Sequence, residues 1–163
     1  YHDQQPLAAR PMQVAPGGSR NFKNMAIVDG EREWSHDLFG CFADPITCVI
    51  AHFVPCIVYG RNRTRFQVLE NYGSVSTDPM DGVMGTDCLI WCGAQCIGCP
   101  GIAGIIGRGQ TRTRYGIHGS ACGDFCVTCC CHGCVLTQES REIELEEQSL
   151  GHPGAGYSNL TRG

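Results

Sequence analysis

Apolar residues gather in three stretches of this chain, and each is interrupted by proline, by glycine or by both. The first, ITCVIAHFV, follows Asp44-Pro45, an aspartate suited to cap a helix and a proline suited to its first position. Pro55 then removes a backbone donor and crowds the preceding turn, so a kink is expected there. The pattern resumes as an amphipathic run from Arg61 to Glu70, with Gly73 as its stop. Between Ser74 and Gly85 the residues are chiefly Ser, Thr, Asp, Pro and Gly, which predicts a loop. A second helix is expected to open at Thr86-Asp87 and to break at Pro100-Gly101, ahead of a further apolar piece, IAGIIGRGQTRTRY. A third starts after Ser120 and runs into TQESREIELEEQ. Acids at a helix C-terminus oppose its dipole, so that end should fray unless something basic meets it. The prediction is a mainly α, small cysteine-rich domain with kinked helices, stapled by metal or disulfides.

The pattern also sets the limits of the domain. Residues 1–30 carry Pro6, Pro11, Pro16, Gly17 and Gly18 without an apolar period, and cannot offset the entropy of ordering by burial. Residues 149–163 read the same way. A single folded domain over 31–148 is therefore expected, flanked by a flexible N-terminal tail and a flexible C-terminal tail.

Composition adds the candidate chemistry. Thirteen cysteines all fall between Cys41 and Cys134. Cys88, Cys92, Cys96 and Cys99 recur at close to the helical repeat, as do Cys122, Cys126, Cys130 and Cys134, with Cys129 beside them. On helices each set forms one stripe. Two stripes facing each other, joined by Cys41, Cys48 and Cys56, would assemble several sulfur sites. Cys96 with Cys99, Cys126 with Cys129, and Cys131 with Cys134 have the Cys-x-x-Cys spacing that lets two thiolates converge on one tetrahedral ion. His52 and His132 could complete a mixed site. Three readings stay open: ligation of zinc or another soft divalent metal, disulfide stapling, and plain burial of small apolar side chains. No strand-helix alternation surrounds any Cys-x-x-Cys, which disfavours a thioredoxin-type enzyme. No paired nucleophile and base or phosphate loop is evident, and GIAGIIGRG lacks the spacing of a dinucleotide fingerprint. A non-enzymatic protein is expected.

Charge changes the picture of partners. The net charge of -4 argues against nucleic acid, whose binders need excess base. Eleven of the twelve basic residues are nevertheless arginine, clustered at Arg61, Arg63, Arg65 and at Arg108, Arg112, Arg114. The twenty uncharged residues from Cys88 to Gly107 have the length of a membrane span, yet Gln95, Pro100 and several glycines make it a poor one. Two crossings would also put the two arginine clusters on opposite sides of the bilayer, against the positive-inside bias. Attachment to a membrane surface, with both clusters on anionic headgroups, avoids that conflict. The rival is a soluble domain whose arginines are solvated or pair with the acidic tail. Residues 1 to 20 do not read as a secretory signal, and the odd cysteine count cannot pair fully, so a reducing, intracellular, membrane-associated setting is expected, the plasma membrane face above all. Homo-oligomerisation is left open.

The blocks WSHDLFGCFADPITC, FVPCIVYGRN and RTRYGIHGSACGDFCVTCCCHGCVLTQESREI resemble the placenta-specific eight family, which includes cornifelin, onzin, the plant cell-number regulators and the plant cadmium-resistance proteins, and the chain looks like a fungal member. The last block is the most diagnostic, with Arg112, Arg114, Tyr115, Gly116, Ile117, Gly119, Asp124 and Gln138-Glu139. The resemblance implies a non-catalytic, membrane-associated protein of growth regulation or metal handling, with an oligomeric divalent-cation channel and a cell-envelope interaction module as alternatives. The family's central motif carries a thiol two residues before its proline, where this chain has Phe53. That departure weakens the implied transport role.

Overall fold

A computed structural model of the protein describes residues 17–78 and 80–151. The chain forms a short antiparallel hairpin, β1 (Ile27–Val28) and β2 (Glu31–Arg32), a 3-10 helix (Leu38–Ala43), and six α-helices: α1 (Pro45–Phe53), α2 (Pro55–Tyr72), α3 (Thr86–Cys96), α4 (Pro100–Tyr115), α5 (Ala121–Cys130) and α6 (His132–Ser149). The mainly α expectation holds, and the helices come as three broken pairs. Asp44 caps α1 by accepting the Thr47 N–H at 3.2 Å, and Pro55 begins α2 after a break at Val54. Gly73, with φ of 63°, closes α2 in the left-handed conformation that glycine adopts without strain. Pro100 begins α4, and Ser120 caps α5 by accepting the Gly123 N–H. The break at Cys131 was not expected: the third pair was read as one continuous helix, and no proline or glycine marks the interruption.

Two apolar clusters hold these elements together. Ala51, Val58, Tyr59, Trp91, Ala94, Ala103 and Leu136 form one, where α1, α2, α3, α4 and α6 meet. Phe66, Leu69, Tyr115, Ile117 and Ile143 form the other, with Trp34 and Leu150 at its edge. Gly101, Gly104 and Gly107 lie three residues apart along α4, and the first two bring it close to α5. A Cβ on Gly104 would stand only 2.7 Å from Thr128 Cβ, and one on Gly107 only 2.8 Å from Tyr59. The glycine-rich run thus serves helix packing.

The acidic end of α6 is the least ordinary part of the interior. Glu139, Glu142, Glu146 and Glu147 are all buried. Three of the carboxylates bond base directly: Arg32 bonds Glu142 at 2.6 Å, Arg65 bonds Glu147 at 2.6 Å, and Arg114 bonds Glu146 at 2.7 Å, while burial raises the pKa of Glu139 to about 7 against the opposing pull of Arg108 and Arg63. The condition set for this helix to persist is met by arginines from three other elements. Within the stretch 1–30 that composition reads as a flexible tail, two residues reach the same helix. Gly18 N–H donates to Glu146 Oε1 at 3.1 Å and Ser19 N–H to Ser149 Oγ at 2.6 Å. Backbone bonds to side chains far along the chain leave no trace in an apolar period. The remaining stretches expected to be flexible, 1–16 and 152–163, lie outside the described residues.

Candidate metal centre

Three of the thirteen cysteines are brought to one point. Cys56 sits in the first turn of α2, directly after the proline that starts it, while Cys88 and Cys92 stand one turn apart on α3. Packing of α2 on α3 places all three Sγ atoms within 4.8 Å of one another. Gly60, one turn on from Cys56, makes this approach close: a Cβ there would lie 3.4 Å from Cys88 Cβ. Among the described residues this is the one such group of three or more candidate ligands. A tetrahedral ion with metal–sulfur bonds of about 2.3 Å needs sulfurs about 3.8 Å apart, so the triad would contract by less than about 1 Å. Three thiolates suit a soft divalent ion.

Burial pushes the Cys56 thiol up, and its hydrogen bond with Cys88 adds to the effect. The Cys92 thiol is also raised, first by the neighbouring Cys56 thiol and then by burial. An arriving ion would therefore displace protons, and the site has poor character for a nucleophile.

The other cysteines divide into two groups. Cys41, Cys48, Cys131 and Cys134 line one apolar cavity of about 270 Å3 between the 3-10 helix, α1 and the start of α6. Cys131 and Cys134 form a disulfide, and Cys41 Sγ lies 3.8 Å from Cys134 Sγ. The second group is unpaired: Cys122, Cys126, Cys129 and Cys130 are exposed on α5, as is Cys96 on α3, and Cys99 is half-buried. The expected pair of facing stripes is therefore replaced by a different arrangement. The α3 stripe meets Cys56 of α2, whereas α5 buries Asp124 and Thr128, which leaves its own cysteines outward. The break at Cys131 also takes Cys134 off that stripe. His132 stacks on His52 with ring centroids 5.7 Å apart and joins neither sulfur group as a ligand.

The six arginines expected against headgroups are mostly interior. Arg61, Arg63, Arg65 and Arg108 are buried, and Arg112 and Arg114 are committed to ion pairs. Arg65 grips Glu147 through two nitrogens, Nε at 2.8 Å and Nη2 at 2.6 Å, and donates to Ser140 through Nη1. Arg112 grips Asp124 in the same forked manner, and Arg108 Nε lies 3.2 Å from the same carboxylate while its guanidinium covers the Trp34 ring at 4.0 Å. Arg63 bonds Gln110 and lies over Phe66. The assignment of these side chains to headgroups is accordingly corrected. Buried guanidinium needs carboxylate partners, and the sequence supplies them on α6 and α5. Arg65 and Arg114 pair with the acidic end of α6, and Arg108 and Arg112 with Asp124 of α5.

Several residues of the diagnostic block belong to this clasp or to its turn. Tyr115 OH donates to Glu146 at 2.6 Å, Gly116 caps α4 with φ of 62°, and Gln138 donates to the His36 carbonyl at 2.7 Å. The sequence profile of the PLAC8 family matches residues 34–142. The chain belongs to the PLAC8 family. Among its PLAC8-family relatives, cell number regulator 5 of Zea mays is 32% identical over 74% of this chain and 68% of its own length. Plant cadmium resistance 10 of Arabidopsis thaliana is 31% identical over 76% of this chain and 66% of its own length, and plant cadmium resistance 2 of the same plant is 33% identical over 76% of each. No solved structure gives a significant match. Within the PLAC8 domain, Arg112, Arg114, Tyr115 and Asp124 are members of the ion-pair clasp, while the sulfur triad draws on residues outside the diagnostic block. Phe53, at the position where this chain departs from the central motif of the family it resembles, is 78% exposed on α1.

Proposed function

We propose that this protein is a non-enzymatic binder of a soft divalent cation, zinc or cadmium in class, held by Cys56, Cys88 and Cys92, and that it handles metal at a membrane surface. The observation that carries the reading is the convergence of the three sulfurs within 4.8 Å from two helices. The donor set favours cadmium and zinc over magnesium or calcium, which prefer oxygen. The names of the cadmium-resistance relatives support the same direction.

Contact with a membrane surface passes from the arginines to apolar side chains. Phe39, Phe42, Val49 and Phe53 are all more than half exposed around the 3-10 helix and α1, the kind of surface that inserts shallowly into an interface. Among the described residues no helix is long and apolar enough to cross a bilayer, which favours surface attachment over a channel built from Cys88 to Gly107. Growth regulation, the other direction given by the cell number regulator relatives, would then follow from metal supply.

The test is a cadmium titration of the oxidised full chain, with its Cys131–Cys134 disulfide intact, followed by the ultraviolet charge-transfer absorption of cadmium thiolate and by native mass spectrometry. The wild type is expected to take an ion with thiolate absorption, and Cys56→Ser with Cys92→Ser to lose it while keeping its helical circular dichroism. Unchanged uptake in that variant would overturn the assignment.

A further inference from the structure

Four further sulfurs, none of them in the triad, share the apolar cavity of about 270 Å3 between the 3-10 helix, α1 and α6. They come from three separate elements: Cys41 from the 3-10 helix, Cys48 from α1, and Cys131 and Cys134 from the start of α6. Cys41 Sγ stands 3.8 Å from Cys134 Sγ, which equals the edge of a tetrahedron built from metal–sulfur bonds of about 2.3 Å. Cys131 Sγ already accepts the Cys134 N–H at 3.4 Å, the backbone bond that a two-cysteine turn offers to a ligating sulfur. The Cys48 and Cys41 side chains are hydrogen-bonded to each other. The start of α6, an 18-residue helix, adds its positive dipole end to Cys131 and Cys134, favouring thiolate there.

We propose that Cys41, Cys48, Cys131 and Cys134 form a redox-gated site, a disulfide when oxidised and a four-thiolate site for one zinc-class divalent ion when reduced. The site stands without the Cys56 triad and uses none of its residues. The gate balances as follows. A dithiol reductant gives two electrons to the Cys131–Cys134 bond, which breaks, and two protons to the released sulfurs, and leaves as its own cyclic disulfide. The ion then displaces up to four thiol protons and forms four metal–sulfur bonds, two of them to Cys41 and Cys48. In the opposite direction a small disulfide oxidant accepts two electrons from the sulfurs of Cys131 and Cys134 and two protons from water, is itself reduced to two thiols, and the re-formed bond expels the ion, after which the Cys41 and Cys48 thiolates take up protons from water. The chain would then release metal on oxidation and hold it under reduction.

The experiment compares the full chain as an oxidised sample and after anaerobic treatment with a phosphine reductant that is then removed. Zinc stoichiometry is read by native mass spectrometry and free thiols by alkylation. The proposal expects two more thiols and one more bound ion after reduction. Cys41→Ser and, separately, Cys48→Ser should each lose the extra ion while the oxidised forms keep their disulfide and helical signal; two variants guard against one that misfolds. Cys56→Ser with Cys92→Ser should keep the extra ion, whereas failure of the triad would show as no ion on the oxidised wild type. Two more thiols without an extra ion would overturn the metal site. No gain in thiols on reduction would overturn the gate. An extra ion that survives both Cys41→Ser and Cys48→Ser would place it on other cysteines and overturn the assignment.

Discussion

Replacement of Glu147 by glutamine keeps the shape of the side chain and removes only its charge. In the native protein both carboxylate oxygens bond Arg65, at 2.8 and 2.6 Å, and both side chains are at most 2% exposed. Charges about 4 Å apart at an effective dielectric constant of about 20 attract by about 4 kcal/mol, and removal of one partner of a buried pair ordinarily costs about 3–5 kcal/mol. The guanidinium would keep its bond to Ser140 Oγ at 3.0 Å, so a loss of about 3–4 kcal/mol is expected. With a urea dependence near 2 kcal/mol per molar, the unfolding midpoint, followed by circular dichroism, should fall by roughly 2 M. The paired replacement of Arg65 by Met and Glu147 by Leu should recover most of that loss, since neither charge is then left without its partner. A loss under about 1 kcal/mol for Glu147→Gln, the scale of an exposed pair, would refute the claim that the clasp is an interior electrostatic network. So would a paired variant as unstable as the sum of its single replacements.

The remaining predictions concern pH, packing and proton release. Burial raises Glu139 to about 7 against the opposing pull of Arg108 and Arg63. A carboxyl raised on folding contributes stability that is full below its unfolded pKa of about 4.5 and lost as pH rises through about 7; Glu139→Gln should flatten that decline in urea unfolding between pH 5 and 8. His36 is lowered to about 4 by burial and by Arg141 and Lys23, and its neutral ring accepts the Lys23 ammonium at 2.8 Å. Its contribution is full above about 6.5 and is lost as pH falls through about 4, a separate acid limb that His36→Gln should remove. Gly104→Ala should cost about 1–3 kcal/mol by overpacking against Thr128, while Gly109→Ala on the same helix, with nothing within 4 Å of the new Cβ, should gain up to about 1 kcal/mol. Metal uptake at the triad should release protons from its thiols, so calorimetry in buffers of different ionisation enthalpy should detect them, and cadmium affinity should rise with pH.

Much of the fold was legible in the chain because its helix boundaries are written in local chemistry. Asp44-Pro45, Pro55, Gly73, Pro100 and Ser120 each act through their own backbone or cap, and each marks a boundary in the structure. The interruption at Cys131 was hidden because its cap is a cysteine sulfur, which accepts the Cys134 N–H, rather than one of the usual capping side chains. The arginines were misjudged for a related reason. Arg65 and Glu147 lie 82 residues apart, and a helical face carrying both signs of charge looks solvated until its partners are known. Cysteine periodicity did identify the α3 pair Cys88 and Cys92, but which helix faces that pair is decided by Trp91 and Tyr59 packing at 5.0 Å between ring centroids. On α5 the same period marked a solvent face, since thiols and small core side chains share one pattern.

The central claim is that Cys56, Cys88 and Cys92 hold a soft divalent ion together, and absorption spectroscopy at the zinc edge reads their sulfurs directly. With one equivalent of zinc on the oxidised full chain, three sulfur neighbours at about 2.3 Å are predicted, and Cys56→Ser with Cys92→Ser should reduce that shell. A zinc shell made only of nitrogen and oxygen, or a sulfur shell that the two replacements leave untouched, would contradict it.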